Sequence, residues 1–254
     1  FDFFLGSGNG QALLVNTNIT GFKLTNVVMK KNFGSSTTGE SIYLSSGSTY
    51  NVYHNTINLS TTLSTTYSSY NIYVNSTVTG SGLKIQNNIF ANTTTNATKY
   101  AIYSLAPKTA FAAIGNNDYY VSGTLAGTIG LGYIGATSYY TLANMVTNFG
   151  DVNSISADPN FVSSNYFAPA MSSPVLNAGT PISNYTSDIN GATRSSTTPT
   201  IGAYETPYTA PTASFTLDTP VDCTTSVEHT ITVSGTPGTN QLSYGTVTYQ
   251  VNGG

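Results

Sequence analysis

The sequence predicts an all-β protein whose first half is a solenoid of stacked coils. Three observations predict it. The composition disfavours helices, a pair of short strand motifs recurs about every 30 residues, and apolar and polar residues alternate inside each motif.

Thr, Ser and Asn supply 98 of the 254 residues, and Tyr another 19. With Gly, these are poorer helix formers than Ala, Leu, Glu and Lys, so a helical bundle fits badly. Charged residues make up 7% of the chain, against roughly 25% in an ordinary soluble protein. A net charge of −3 spread this thinly leaves no basic patch for nucleic acid or anionic lipid. A 39% hydrophobic content with 30 Phe and Tyr side chains supports a core, which disfavours disorder. No continuous apolar stretch reaches the roughly 18 residues of a membrane span, so direct membrane insertion is not expected.

The repeat sets the order of the elements. Ser41-Ile-Tyr-Leu44, Asn71-Ile-Tyr-Val74 and Ala101-Ile-Tyr-Ser104 follow one another at intervals of 30 residues. Each is followed by a second motif: Val52-Tyr-His-Asn-Thr-Ile57, Ile85-Gln-Asn-Asn-Ile-Phe90 and Ile114-Gly-Asn-Asn-Asp-Tyr119. The asparagines Asn55, Asn88 and Asn117 form a recurring set, with Asn26 marking an earlier copy. Two or three short strands per period predict coils that stack as parallel sheets. In such a stack Ile42, Leu44, Ile72, Val74 and Ile102 point inward, while Tyr43, Tyr73 and Tyr103 point outward in one column. Asparagines at a repeated corner bond to one another and to the turn backbone above and below, as amide ladders do. Residues 1–137 are therefore read as coils.

The pattern resembles a right-handed parallel β-helix, as in secreted bacterial proteins and polysaccharide-degrading enzymes. Beyond residue 138 the period changes. Leu142, Met145 or Val146, and Phe149 fall at helical spacing, with Ser138 as N-cap and Gly150 at the left-handed C′ position. A short capping helix over the last coil is expected. Then come, in order, Tyr139-Tyr-Thr-Leu-Ala143, Asp151-Val-Asn-Ser-Ile-Ser-Ala-Asp-Pro-Asn-Phe161, Ser173-Pro-Val-Leu-Asn-Ala-Gly179, Asp188-Ile-Asn-Gly191 with Arg194, and Ile201-Gly-Ala-Tyr-Glu205. This series is similar to the C-terminal end of secreted bacterial β-helix proteins of the "choice-of-anchor Q" type. It departs from that pattern at Tyr166-Phe-Ala-Pro169, where proline argues against a regular strand. The resemblance implies an exported or surface-exposed protein and carries no catalytic residue.

Read physically, Asp158 and Asp188 are turn-capping residues. Arg194 is the sole arginine, and its planar fork is expected to pair with Asp188 or Glu205 and pin an irregular C-terminal cap over residues 138–206. Residues 207–212 read as a linker. In 213–254, alternating runs around Thr212–Leu217, Glu228–Val233 and Gly245–Val251 resemble the first half of an immunoglobulin-like sandwich. Cys223 is either a buried small hydrophobe or half of a bridge to a partner beyond Gly254. The chain opens at Phe1 and closes just after a strand-like run, so it is expected to be a piece of a longer polypeptide.

Catalytic chemistry is not legible. Asp2, Glu40 and Asp118 fall in different coils, the lysines are scattered, and His54 and His229 have no partner at metal-ligand spacing. No catalytic residue, metal or cofactor is expected. The leading expectation is a non-catalytic segment of a large bacterial cell-surface or secreted protein, extracellular, as an adhesin, stalk or fibre component. Its partners would be a carbohydrate, another surface protein or further domains of the same chain. The Tyr43, Tyr73 and Tyr103 column is the candidate binding stripe, stacking on sugar rings or a partner; the other reading is a tyrosine stack that only shields its sheet. Alternatives are a polysaccharide lyase or hydrolase, and a self-associating extracellular filament subunit.

Overall fold

The computed structural model describes residues 10–15, 19–31, 38–164, 166–207, 212–217 and 231–236. It divides into two compact units, residues 1–206 and 207–254.

The first unit is a β-solenoid of parallel sheets, a parallel β-helix. Each coil contributes one strand to each of three sheets. The first sheet stacks Gln11–Val15, Gly39–Leu44, Ser68–Val74, Thr98–Ser104 and Ile129–Ile134, all parallel. The second stacks Lys23–Thr25, Asn51–Tyr53, Leu83–Gln86 and Phe111–Gly115. The third stacks Val28–Lys31, Thr56–Leu59, Ile89–Asn92 and Asp118–Val121. The second sequence motif thus holds two strands, one on either side of a two-residue corner.

Stacking in register makes each side chain part of a column. Ile42, Ile72 and Ile102 lie directly above one another, as do Leu44 and Val74, and all five have no exposed surface. Val52, Ile85, Ile57 and Phe90 fill the interior from the other two sheets. Burying a side chain of this size contributes roughly 1.5–3 kcal/mol, and the repeat supplies several per coil. Asn71 also points inward. Its Nδ2 donates to the carbonyls of Ile57 (3.0 Å) and Ala91 (2.8 Å), tying the first sheet to the third.

The stack changes after the fourth coil. Thr137–Tyr139 turns back antiparallel on Ile129–Ile134. A short helical segment follows, α-helical at Leu142–Asn144 and π-helical at Met145–Phe149. Its N-cap is Thr141, whose side chain accepts from the Asn144 amide, and not Ser138. Ser138 lies in the returning strand, with its hydroxyl bonded to that of Tyr100. Gly150 takes the left-handed position at φ 82°. Met145 and Phe149 are the buried residues of this segment, whereas Val146 is half exposed. Met145 fits because Gly132 leaves room: a β-carbon there would lie 2.9 Å from the methionine sulfur. The chain then rejoins the coils through bridges of Val152 to Gly115 and Ile155 to Asp118.

Residues 157–164 and 166–206 form an irregular cap that covers the flank of the coils. Phe161 bridges Pro169, with no regular strand at 166–169. The cap tracks back down the stack. Ala178 accepts from Asn116, Thr180 pairs with Asn87, and Ser187 accepts from Asn26. Val175 and Ile201 pack on Ile89 and Ala91, forming a small second core outside the third sheet.

In the second unit, Thr212–Leu217 pairs antiparallel with Ile231–Thr236. Cys223, His229 and the run at 245–251 lie outside the described residues.

Candidate functional site

The tyrosine column forms as a physical stack and is longer than the sequence motif indicated. Tyr43, Tyr73 and Tyr103 lie in register with Tyr133. Ring centroids are 4.8, 5.4 and 4.4 Å apart along the column, with interplanar angles of 5°, 15° and 7°. All four rings are partly exposed. Beside them, Tyr70 and Tyr100 form a second, buried column; Tyr70 lies 4.4 Å from the Tyr103 ring.

This geometry corrects the expectation of free ring faces. Strand spacing of about 4.8 Å forces neighbouring tyrosines face to face, so the inner rings spend their faces on one another. What the column presents outward is a row of ring edges and hydroxyls. Asn75 Nδ2 already donates to the Tyr43 hydroxyl at 2.8 Å. Burial, with neighbouring tyrosines and Glu40 adding to it, pushes Tyr73 up to about 12. Tyr103 is also pushed up to about 12, by burial and the tyrosines around it. Both phenols therefore stay protonated donors across the physiological range. Burial also raises Glu40, against the lowering effect of the 2.8 Å bond from Gln11 Nε2.

The corner between the second and third sheets carries two columns. Asn55, Asn88 and Asn117 are fully buried and form the ladder. Asn88 Oδ1 accepts the Asn55 backbone N–H (3.1 Å) and side-chain amide (2.9 Å), and Asn117 Oδ1 accepts the equivalent pair from Asn88, both at 3.0 Å. Nδ2 of each reaches back one coil, to the carbonyls of Leu24, Val52 and Ile85 at 2.9 Å. Ser154 Oγ takes the next rung by accepting from the Asn117 amide (3.0 Å), and Asp151 in turn accepts from Ser154 at 2.6 Å.

Asn26 is not a rung of this ladder; Val27 holds that register. Asn26 belongs to the neighbouring column with His54, Asn87, Asn116 and Asn153, all left-handed at φ 51–59°. That conformation turns the chain from one sheet to the next, and asparagine tolerates it better than most residues. The turn sends these side chains outward, where the cap docks. Asn87 accepts from the Thr180 amide (3.0 Å), donates to its carbonyl (2.7 Å), and donates again to His54 Nε2 (3.0 Å). His54 is fully buried, and burial beside the Arg194 charge drives its imidazole down to about 3. It is therefore neutral, with its proton on Nδ1 because Nε2 accepts.

The ion pair in the cap is Arg194 with Glu205, at 3.1 Å. Arg194 also donates to Asn26 Oδ1 (2.9 Å) and to the carbonyls of Gly202 and Ala203. Asp188 takes no part in that pair. Its Oδ1 accepts from the Asn190 and Ala192 amides, and its Oδ2 from the Glu205 amide. Glu205 accepts further bonds from the Ser195 and Thr200 amides. These three residues stitch 188–205 together and fasten it to the first coil.

Two further carboxyls are buried. Asp118 accepts from the Ala157 amide, and burial raises it well above the carboxylate range. Burial raises Asp151 to about 6, despite its bond from Ser154. Neither is reachable from solvent. Among the described residues, no three His, Cys, Asp or Glu side chains gather as a metal site.

The fold and these columns define a parallel β-helix with one flank covered. No protein-family model, curated protein or solved structure matches the chain.

Proposed function

We propose that the chain is a non-catalytic display and spacer segment of a bacterial cell-surface or secreted protein, with the tyrosine column as the surface it presents. The observation that carries this reading is the unbroken register of Tyr43, Tyr73, Tyr103 and Tyr133 on one face. A polymer whose units repeat at about the strand spacing of 4.8 Å, such as an extended glycan, meets one hydroxyl per coil. The resemblance of 138–206 to exported β-helix proteins supports an extracellular setting, and the pairing of Thr212–Leu217 with Ile231–Thr236 is compatible with an immunoglobulin-like module.

The test is a triple Tyr43→Phe, Tyr73→Phe, Tyr103→Phe variant, which keeps the stack and removes only hydroxyls. Attachment of the parent chain to bacterial or host surfaces should fall at least ten-fold in the variant, with an unchanged melting curve. Equal attachment would remove the column from the function. The lyase or hydrolase reading needs paired acid groups within reach of substrate, whereas Asp118, Asp151 and Asp188 are buried, Glu205 is held by Arg194, and the exposed Asp158 has no second described carboxylate lining its groove. Release of reducing or unsaturated ends from a polysaccharide panel would revive it. The filament reading calls for concentration-dependent growth in sedimentation.

A further inference from the structure

A second opening lies on the outer side of the third sheet, on a different sheet from the tyrosine column. Met29, Ile57, Phe90 and Tyr119 point inward there. The next residues, Lys30, Asn58, Ala91 and Tyr120, therefore form an outward column in register. Over the last three, the strand surface and cap residues between Asp158 and Ser164, together with Phe167, border a groove of about 330 Å³. Asn58, Ala91 and Tyr120 make its floor, and Asp158, Phe161 and Phe167 its cap-side wall.

Asn58 is the telling residue. It is only 8% exposed, yet its side chain makes no hydrogen bond to any described residue. Every other buried asparagine described in the coils bonds to a backbone group or a neighbouring side chain. The Asn58 amide atoms are still reached by solvent, so they open onto the groove and are available to a guest. Ala91, the small residue between Asn58 and Tyr120, keeps the floor low at the middle of the groove.

We propose that this groove binds a neutral carbohydrate of about disaccharide length. The volume falls at the small end of the roughly 300–1,000 Å³ typical of ligand pockets. Three coils set the floor length at about 10 Å, two strand spacings. A sugar has an apolar C–H face and hydroxylated edges, matching the Tyr120 and Phe161 rings and the Asn58 amide and Asp158 carboxylate that line the same groove. The Asn58 amide both donates and accepts, as a pair of adjacent sugar hydroxyls requires. Asp158 is exposed; one oxygen accepts from the Asn160 amide (2.9 Å), and the carboxylate lies against the Tyr120 hydroxyl. Among the described residues it is the only charged one lining the groove, so acidic sugars are repelled. Lys30 rides on the Phe167 ring, 5.9 Å from its centroid, and does not line the opening.

The proposal is independent of the tyrosine column, and its experiment separates the two. Cellobiose, N,N′-diacetylchitobiose and digalacturonate are titrated into the full chain by calorimetry. One of the two neutral sugars should bind, and digalacturonate at least ten-fold more weakly. Asn58→Ala should lower the neutral affinity at least ten-fold, and the surface change Asp158→Asn should narrow the discrimination against digalacturonate. The triple Tyr→Phe variant should bind as the parent does. Silence of both neutral sugars, preference for digalacturonate, or parental affinity in a folded Asn58→Ala chain overturns the proposal. Should Asn58→Ala fail to fold, parental discrimination in Asp158→Asn does so.

Discussion

The coils and the flank cap solve the same problem by opposite means. In the coils a residue meets its own counterpart one turn away, so one good geometry is reused: isoleucine on isoleucine, tyrosine on tyrosine, amide on amide. In the cap nothing repeats. Each turn of 157–206 is held by a partner unique to it, such as Arg194 on Asn26 or Thr200 on Glu205. Stability in the coils is therefore spread over many equivalent contacts, whereas in the cap it is concentrated in a few polar side chains that must all be satisfied at once.

The sharpest way to break this contrast is Arg194→Met. It leaves Glu205 as a buried charge without its cation, a loss of about 3–5 kcal/mol. A calorimetric scan should show a large drop in Tm. Limited proteolysis should cut within 180–205 before the coils, and simultaneous cutting of both would mean that the two regions are one cooperative unit. Next in size is Asn88→Ala, the middle rung. It strips the Asn55 amide and side chain of their acceptor and the Val52 carbonyl of a donor. Each unsatisfied group costs about 1–3 kcal/mol, so with three such groups denaturant unfolding should show a loss of at least about 3 kcal/mol. A loss as small as that of a surface substitution would mean that the ladder is redundant.

Gly202→Ala probes the contact between the two regions. At φ 100°, its new β-carbon would lie 2.7 Å from Ile89 Cδ1 and 2.8 Å from Thr56 Oγ1. Destabilisation of about 1–3 kcal/mol is expected, with faster amide exchange at Ala203. Asp151→Asn gives the smallest change, and one visible only through pH. Asp151 binds its proton more tightly folded, at about 6, than unfolded, at its ordinary 3.8. Its contribution is thus complete below pH 3.8 and is lost as pH rises through 6. The Tm of the Asn variant should fall less than that of the parent between those limits. His54 acts oppositely, since its pKa is depressed from 6.5 to about 3, and its contribution fades as pH falls through that window. Parallel Tm–pH curves for parent and variant would rule out the Asp151 assignment.

Legibility in the sequence followed the same division. The period exposed the coils, their inward residues and the Asn55, Asn88 and Asn117 ladder, because repeated geometry demands repeated residues. Tyr133 continues the 30-residue interval and was within reach of the same count, but its motif carries Gly132 where the others carry isoleucine. The assignment of Asn26 to the ladder failed for a related reason. Paired asparagines at 87–88 and 116–117 occupy both corner columns, and only register distinguishes them. The choice between Asp188 and Glu205 as partner of Arg194 could not be read at all, since it depends on how a non-repeating loop closes. Asn58 gave no signal, because an unpaired amide is a property of its surroundings.

The cap's attachment has a consequence for lineage. Solenoids commonly grow and shrink by duplicating or losing whole turns. Here the cap touches Asn116, Asn87 and Asn26 in succession, through Ala178, Thr180 and Ser187, and so works as a ruler laid against the coils. An inserted turn would carry Arg194 one graduation short of its mark. Homologues with a different number of turns should therefore show a matching change in the length of the segment between Ala178 and Arg194, and the turn count of this chain is inherited as a fixed number.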